Sequence, residues 1–379
     1  MLRFAFYIAL RIGLAFALVL TVTGSTHAQK TYAERLGWNK GDRVIILHVD
    51  DVGMSYDSNQ GAIESIENGV ANSLSVMMPC PWVSPIVKYI KEHPEVDAGL
   101  HITLTSEWNT YRWGPLAGRE AVPGLVDNEG CMWKDVNLVR KSASANEVER
   151  EIKAQIKRAK MMGFKPTHLD SHMGTVFSKP GYLIKYIKIG KKEHIPIMFP
   201  GGHNTMLLEQ VKMHDLSGLK NVKVNLQDDL YAEKLTQMMR LARTLGKKVW
   251  NAGLPVLDDL HGMSQEWDFP VDLENTDANL RAWFSAKYQE SLSQIKPGIT
   301  MVIMHCSKTT EVFKEFSGSG NRRKGDMLTM TDPAFRQFLK DQGFILTTWK
   351  ELMERRAKVG KQRFKKVNED LIGDFLFSL

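Results

Sequence analysis

Cysteine is scarce in this chain: 379 residues include only three, Cys80, Cys131 and Cys306. None stands in CxxC spacing, which argues against a zinc ribbon, and an odd, sparse set is no disulfide framework. A single bridge stays compatible with an oxidising compartment, but spacing does not select the pair. Low-complexity linkers and internal repeats are also missing, so a single domain is expected. No nucleic-acid-binding module is evident. The composition, 43% hydrophobic and 25% charged, is that of an ordinary globular protein with a sizeable core. The net charge of +7 gathers partly in "NRRKGD" and "ERRAKVGKQRFKK". Such runs are read as solvated helix faces rather than as a site for an anionic polymer or membrane.

The one long apolar run opens the chain. "MLRFAFYIALRIGLAFALVLTVTGSTHAQK" has an early Arg3, an apolar stretch and a small-residue end at Ala28. This is a secretory signal pattern, with cleavage expected after Ala28 and a periplasmic or extracellular destination. Arg11 interrupts the run and argues against a stable membrane span. The alternative is an uncleaved N-terminal anchor. The expected organisation is a signal peptide over 1–28, a single folded domain over 29–358 and a basic, then apolar tail over 359–379.

Beyond residue 28, short apolar runs alternate with amphipathic stretches. Strands are expected at 44–49, 72–78, 96–102, 166–170, 195–198, 248–254, 299–304 and 343–347. Helices are expected near 58–68, 82–92, 146–162, 181–192, 231–245, 273–295 and 332–341. This alternation predicts parallel βαβ units in an α/β barrel or a doubly wound sheet, and the number of units favours barrel-like closure. Two insertions break the rhythm, 103–145 and 255–271.

Polar clusters follow four of the apolar runs: His48-Val49-Asp50-Asp51, His101 in "GLHITLT", His168, Asp170 and His172 in "PTHLDSHMG", and His305 in "IMHCSK". In a parallel α/β fold the C-terminal strand ends converge on one face, so these clusters would meet. One carboxylate and two imidazoles suit a divalent metal with open positions, and a second acid beside them suits a general base. A further imidazole across the site suits a general acid, because free histidine titrates near neutrality. Each element also has a plain structural reading. Single histidines such as His48, His168, His194 and His261 are commonly hydrogen-bonded core residues, and adjacent acids after a strand commonly cap the next helix.

The segment "HVDDVGMSYDSNQGAIESIENGVANSLSVMMP" resembles the opening of the YdjC-like carbohydrate deacetylases of the polysaccharide deacetylase superfamily. Asp50, Asp51, Val52 and Gly53 match its Asp-Asp-Phe-Gly element. Asn59, Gly61 and Ile63, the last displaced by one residue, match the next motif, and Gly69, Val70 and Ser73 the one after. "GLHITLT" and "KPTHLDSHMG" resemble two further family elements. The likeness is firm over about 44–175 and weaker at "VIMHCSK".

The resemblance implies a NodB-like distorted (β/α) barrel that hydrolyses N-acetyl groups of amino sugars in an oligo- or polysaccharide. It implies one divalent ion, zinc or magnesium, held by Asp51, His101 and His172. It further implies Asp50 as general base and His305 as general acid, with the order within the Asp pair left open. Asp170 or His168 would orient the ligands. Trp108, Tyr111 and Trp113 would either stack a sugar ring or pack down their long loop. The sequence departs from the family after His172, where Met173, Gly174, Thr175, Val176 and Phe177 replace a run with two more imidazoles. Val52 also replaces the usual Phe, and His305 stands outside the usual context. Competing readings are a barrel glycoside hydrolase with two carboxylates and no metal, a non-catalytic carbohydrate-binding protein, and a metal-dependent phosphodiesterase.

Overall fold

The structure is a computed structural model that describes residues 30–218 and 229–359. The expected signal peptide over 1–28 and all of the expected tail over 359–379 except Val359 lie outside the described residues. The chain divides into a short unit, Met1–Lys30, and a second, Thr31–Leu379, to which the following applies. Among the described residues no helix is long and apolar enough to cross a membrane.

Seven parallel strands form one sheet: β1 (Arg43–Val52), β2 (Ser73–Val76), β3 (Ala98–Ile102), β4 (Leu169–Ser171), β5 (Asp259–His261), β6 (Gly298–Met304) and β7 (Ile345–Leu346). Their order is β4-β3-β2-β1-β6-β5, with β7 paired to β1. Single parallel bridges, Leu169 to Ile197 and Pro200 to Leu257, carry the pairing from β4 round toward β5. The sheet therefore curls toward a barrel, as expected, but closes through isolated bridges rather than full ladders. Expected strand 195–198 supplies one of them.

Strand β1 lies at the centre, and Val44 to Leu47 are fully buried, as a strand covered on both faces requires. Helices pack outside. The helix Tyr56–Glu67 starts at Ser55, whose Oγ accepts the Ser58 amide at 3.0 Å. Asp50 and Asp51 are therefore not its caps. Gly61 on this helix lies against the chain after β6, where a Cβ would come 2.5 Å from the Cys306 carbonyl oxygen. That close approach keeps the His305 segment near the end of β1.

Three expectations need correction. Residues 248–254 are not a strand. Leu245, Val249 and Trp250 are buried at helical spacing in the helix Asp229–Asn251, and the strand comes later as β5, inside the expected insertion 255–271. A pair of charged residues, Asp258 and Asp259, masked it. "NRRKGD" is not a solvated face: it opens the helix Gly320–Met330, on which Arg323 and Asp326 are buried. Arg356 in the second basic run is likewise buried, stacked 4.1 Å from the Trp250 ring centre. All three cysteines are free.

Candidate metal centre

An ordinary strand would turn Asp50 and Asp51 to opposite faces. Here the β1–β2 register shifts between Val49 and Val52, and Asp51 adopts a left-handed φ of 60°. This irregularity lets both carboxylates face the interior. Asn59 holds the following turn, accepting the Gly53 amide at 2.7 Å and donating to the Trp82 carbonyl at 2.9 Å.

β3 brings His101 alongside, in register with Asp170 of β4, and His172 follows one residue after β4 ends. Asp51 Oδ1 lies 3.3 Å from His101 Nε2 and 3.1 Å from His172 Nδ1, and the two nitrogens are 3.3 Å apart. Donor atoms each about 2.1 Å from one zinc ion stand roughly 3.0–3.4 Å apart, so the spacing fits. Asp51 Oδ1 is buried and accepts no hydrogen bond. The far nitrogen of each imidazole meets a carboxylate: His101 Nδ1 lies 2.7 Å from Asp170 Oδ1, and His172 Nε2 lies 3.0 Å from Glu107 Oε2. In the neutral ring each contact places the proton on the outer nitrogen and turns a lone pair inward. The residues present therefore fit a divalent cation.

Burial works against ionisation of Asp51, yet Arg323, His101 and His172 hold its carboxyl well below the usual range. Arg323 Nη2 donates to Asp51 Oδ2 at 2.7 Å, leaving Oδ1 for the imidazole side. Burial also opposes protonation of His172, but Glu107 and Asp51 carry it up to about 9.

Asp50 is buried beside this centre, its Oδ1 accepting from Ser75 Oγ at 3.3 Å. His305 stands across it, Nε2 3.9 Å from Asp51 Oδ2, with its backbone amide donating to Asp326 Oδ2 at 2.9 Å. Burial pulls its imidazole down to about 4, so it does not titrate near neutrality as free histidine would. His168 contributes less than Asp170: it is stacked on Trp349 and its Nε2 lies 3.7 Å from Asp170 Oδ2.

The long loop packs over the site. Trp113 is buried, its indole donating to the Thr105 carbonyl at 2.9 Å, so it anchors the loop rather than offering a ring face. Half-buried Trp108 and Tyr111 lean on it, with ring centres 5.6 and 6.1 Å away. Sequence reasoning missed Glu107 and Arg323. Glu107 sits in a loop without periodicity, and Arg323 in a basic run whose composition signals a surface.

A curled parallel α/β sheet with an aspartate and two histidines converging at its C-terminal strand ends defines a barrel-like protein with a site that could hold a divalent cation. The chain belongs to the YdjC-like protein family, whose sequence profile matches residues 44–341. It is 37% identical to the carbohydrate deacetylase of Thermus thermophilus over 167 residues, 44% of this chain and 57% of that one. It is 32% identical to the carbohydrate deacetylase of Brevibacillus brevis over 156 residues, 41% of this chain and 59% of that one. The chain thus spans less than two thirds of the curated relatives it matches. A crystal structure described as a candidate cellobiose-phosphate cleavage protein of Enterococcus faecalis V583 shares the fold. Its TM-score is 0.57 at 18% identity, over 82% of this chain and 99% of that one.

Proposed function

We propose that this protein is a metal-dependent deacetylase that removes the N-acetyl group of an amino sugar within a carbohydrate. The observation that carries this reading is the convergence of Asp51, His101 and His172, with Asp50 beside them and His305 opposite. The names of the relatives supply the substrate class.

Asp51, His101 and His172 would hold the cation, and their nitrogen-rich set suits zinc better than magnesium, which prefers oxygen ligands. When bound, such an ion polarises the acetamide carbonyl and lowers the pKa of water. Asp50 is the general base: its carboxylate takes the proton of the attacking water. His305 gives a proton to the departing amine nitrogen. Because its imidazole is held down to about 4, it is neutral at rest, so it delivers a proton collected during turnover. Asp170 and Glu107 orient the two imidazoles. Trp108 and Tyr111 offer ring faces to the sugar. The signal pattern ending at Ala28 supports action on a glycan outside the cytoplasm.

The test is metal analysis of the purified protein with an acetate-release assay on a panel of N-acetylated oligosaccharides. Stoichiometric metal, chelator-sensitive acetate release and loss of release in Asp50→Asn are expected. Chelator-resistant turnover would favour a two-carboxylate glycosidase, and undiminished release by Asp50→Asn would remove Asp50 as base.

A further inference from the structure

His48 has the same buried setting as many structural histidines, but its contacts are those of the site. The ring is fully buried on β1, in register with Ser73 of β2. Its Nδ1 lies 2.8 Å from Ser73 Oγ. On the other side, Nε2 lies 3.1 Å from Asp50 Oδ1, 2.9 Å from Asp170 Oδ2 and 3.1 Å from Ser75 Oγ. Ser75 Oγ in turn donates to Asp50 Oδ1 at 3.3 Å, so its oxygen accepts from His48 Nε2. Asp170 uses its other oxygen, Oδ1, to hold His101 Nδ1 at 2.7 Å. One ring nitrogen therefore stands between two buried carboxylates, one proposed as the base and one holding the His101 imidazole.

We propose that His48 is a positioning residue that ties Asp50 to Asp170 and so fixes the base and the His101 imidazole in one arrangement. Two carboxylates within 3.1 Å of the same nitrogen repel each other in a dry interior unless something positive stands between them. His48 carries hydrogen on Nε2 and fills that place. The hydrogen on Nε2 points to Ser75 Oγ and presents its partial positive charge to both carboxylates, as an amide N–H in the same place would. Without it, Asp50 and Asp170 turn apart, and Asp170 takes the His101 ring with it. The chain of contacts runs through β1, β2, β3 and β4, which is why no local motif reveals it.

The part played by Asp50 rests on the deacetylase reading, and the part played by Asp170 rests only on the cation centre. The test therefore pairs His48→Asn with His48→Gln. The Asn amide reaches toward Ser73 but falls short of the carboxylates, whereas the Gln amide nitrogen reaches the position of Nε2. Zinc affinity is measured by competition with a chromophoric chelator, alongside kcat, KM and the melting temperature. For His48→Asn, zinc affinity is expected to fall about tenfold and kcat tenfold or more, with KM within about twofold, and Gln recovers most of both losses. The proposal is overturned if both variants bind zinc like the wild type. It is also overturned if both lose zinc affinity equally with matching falls in melting temperature, since His48 then only fills space. Should the Asn variant not fold, near-normal zinc affinity in folded His48→Gln supports the proposal, and a tenfold loss there overturns it. If wild-type protein releases no acetate from any glycan, the deacetylase reading fails, and zinc affinity alone decides the role of His48.

Discussion

Arg323 and Asp51 form a buried ion pair across the molecule, Nη2 to Oδ2 at 2.7 Å, that joins the helix Gly320–Met330 to the end of β1. The guanidinium satisfies the outer oxygen of the carboxylate while the inner one stays bare. Replacing Arg323 by Met would leave Asp51 buried without its cation. Breaking a pair of this kind costs about 3–5 kcal/mol. Thermal melts of the metal-free protein should show that loss, and added zinc should restore more of it in Arg323→Met than in the wild type. Identical melts for metal-free wild type and variant would show that the pair contributes nothing.

The two orienting carboxylates should differ in weight. Asp170 is almost wholly buried, whereas the Glu107 side chain keeps about a fifth of its surface exposed. Loss of such partners typically lowers metal affinity about 10–100-fold. Asp170→Asn is expected toward the upper end of that range and Glu107→Gln toward the lower. Chelator competition gives both values, and a larger loss in Glu107→Gln would reverse the assigned order.

The barrel-like architecture and the convergence of the polar clusters were legible in the sequence because both rest on short-range signals, whereas the choice of Asp51, His101 and His172 as ligands came only from the family resemblance. Apolar runs mark the strands, and polar residues at their ends mark the face on which they converge. The signal failed where composition and position part company. The Asp258–Asp259 pair concealed β5, because charge argues against a buried strand. Its acids are in fact satisfied by backbone amides from distant segments: Asp258 accepts the Tyr32 and Ala33 amides, and Asp259 accepts those of Met206 and Leu207. Arg323 was hidden for the same reason, as one of two adjacent arginines of which only it turns inward. His48 was legible as a residue but not as a participant, because its partners come from β2 and β4.

Glu151 fixes the long loop, accepting the Leu116 amide at 3.0 Å and the Ala117 amide at 2.8 Å. Burial raises its carboxyl to about 7, prevailing over those donors. A carboxyl raised on folding contributes stability that is complete below its unfolded pKa, near 4.5, and is lost as pH rises through about 7. Stability should therefore decline across this window, by up to about 3 kcal/mol if Glu151 acts alone. In Glu151→Gln that decline should flatten, with a separate pH-independent cost of about 1–2 kcal/mol from the amide facing a backbone donor. Urea melts at several pH values separate the two effects. An unchanged slope in the variant would remove Glu151 as its source.

Gly325 offers a way to disturb the site without touching a polar atom. It lies between Arg323 and Asp326 on their helix, and a Cβ there would meet the Phe284 ring at 2.1 Å. Phe284 is fully buried on the helix Asp277–Leu292, so the ring has no free space to enter. Gly325→Ala must push the two helices apart, at a cost of about 1–3 kcal/mol. The displaced helix carries both the Asp51 partner and the carboxylate that holds the His305 amide. Misplacement of about 1 Å at such groups can lower turnover by up to 100-fold. Trimming the obstacle, in Gly325→Ala with Phe284→Leu, should recover much of the activity even if stability stays reduced, because the helix can return to its place. If the single variant keeps full acetate release despite a lower melting temperature, the seating of that helix does not govern the site. Arg323 and Asp326 would then act only on stability.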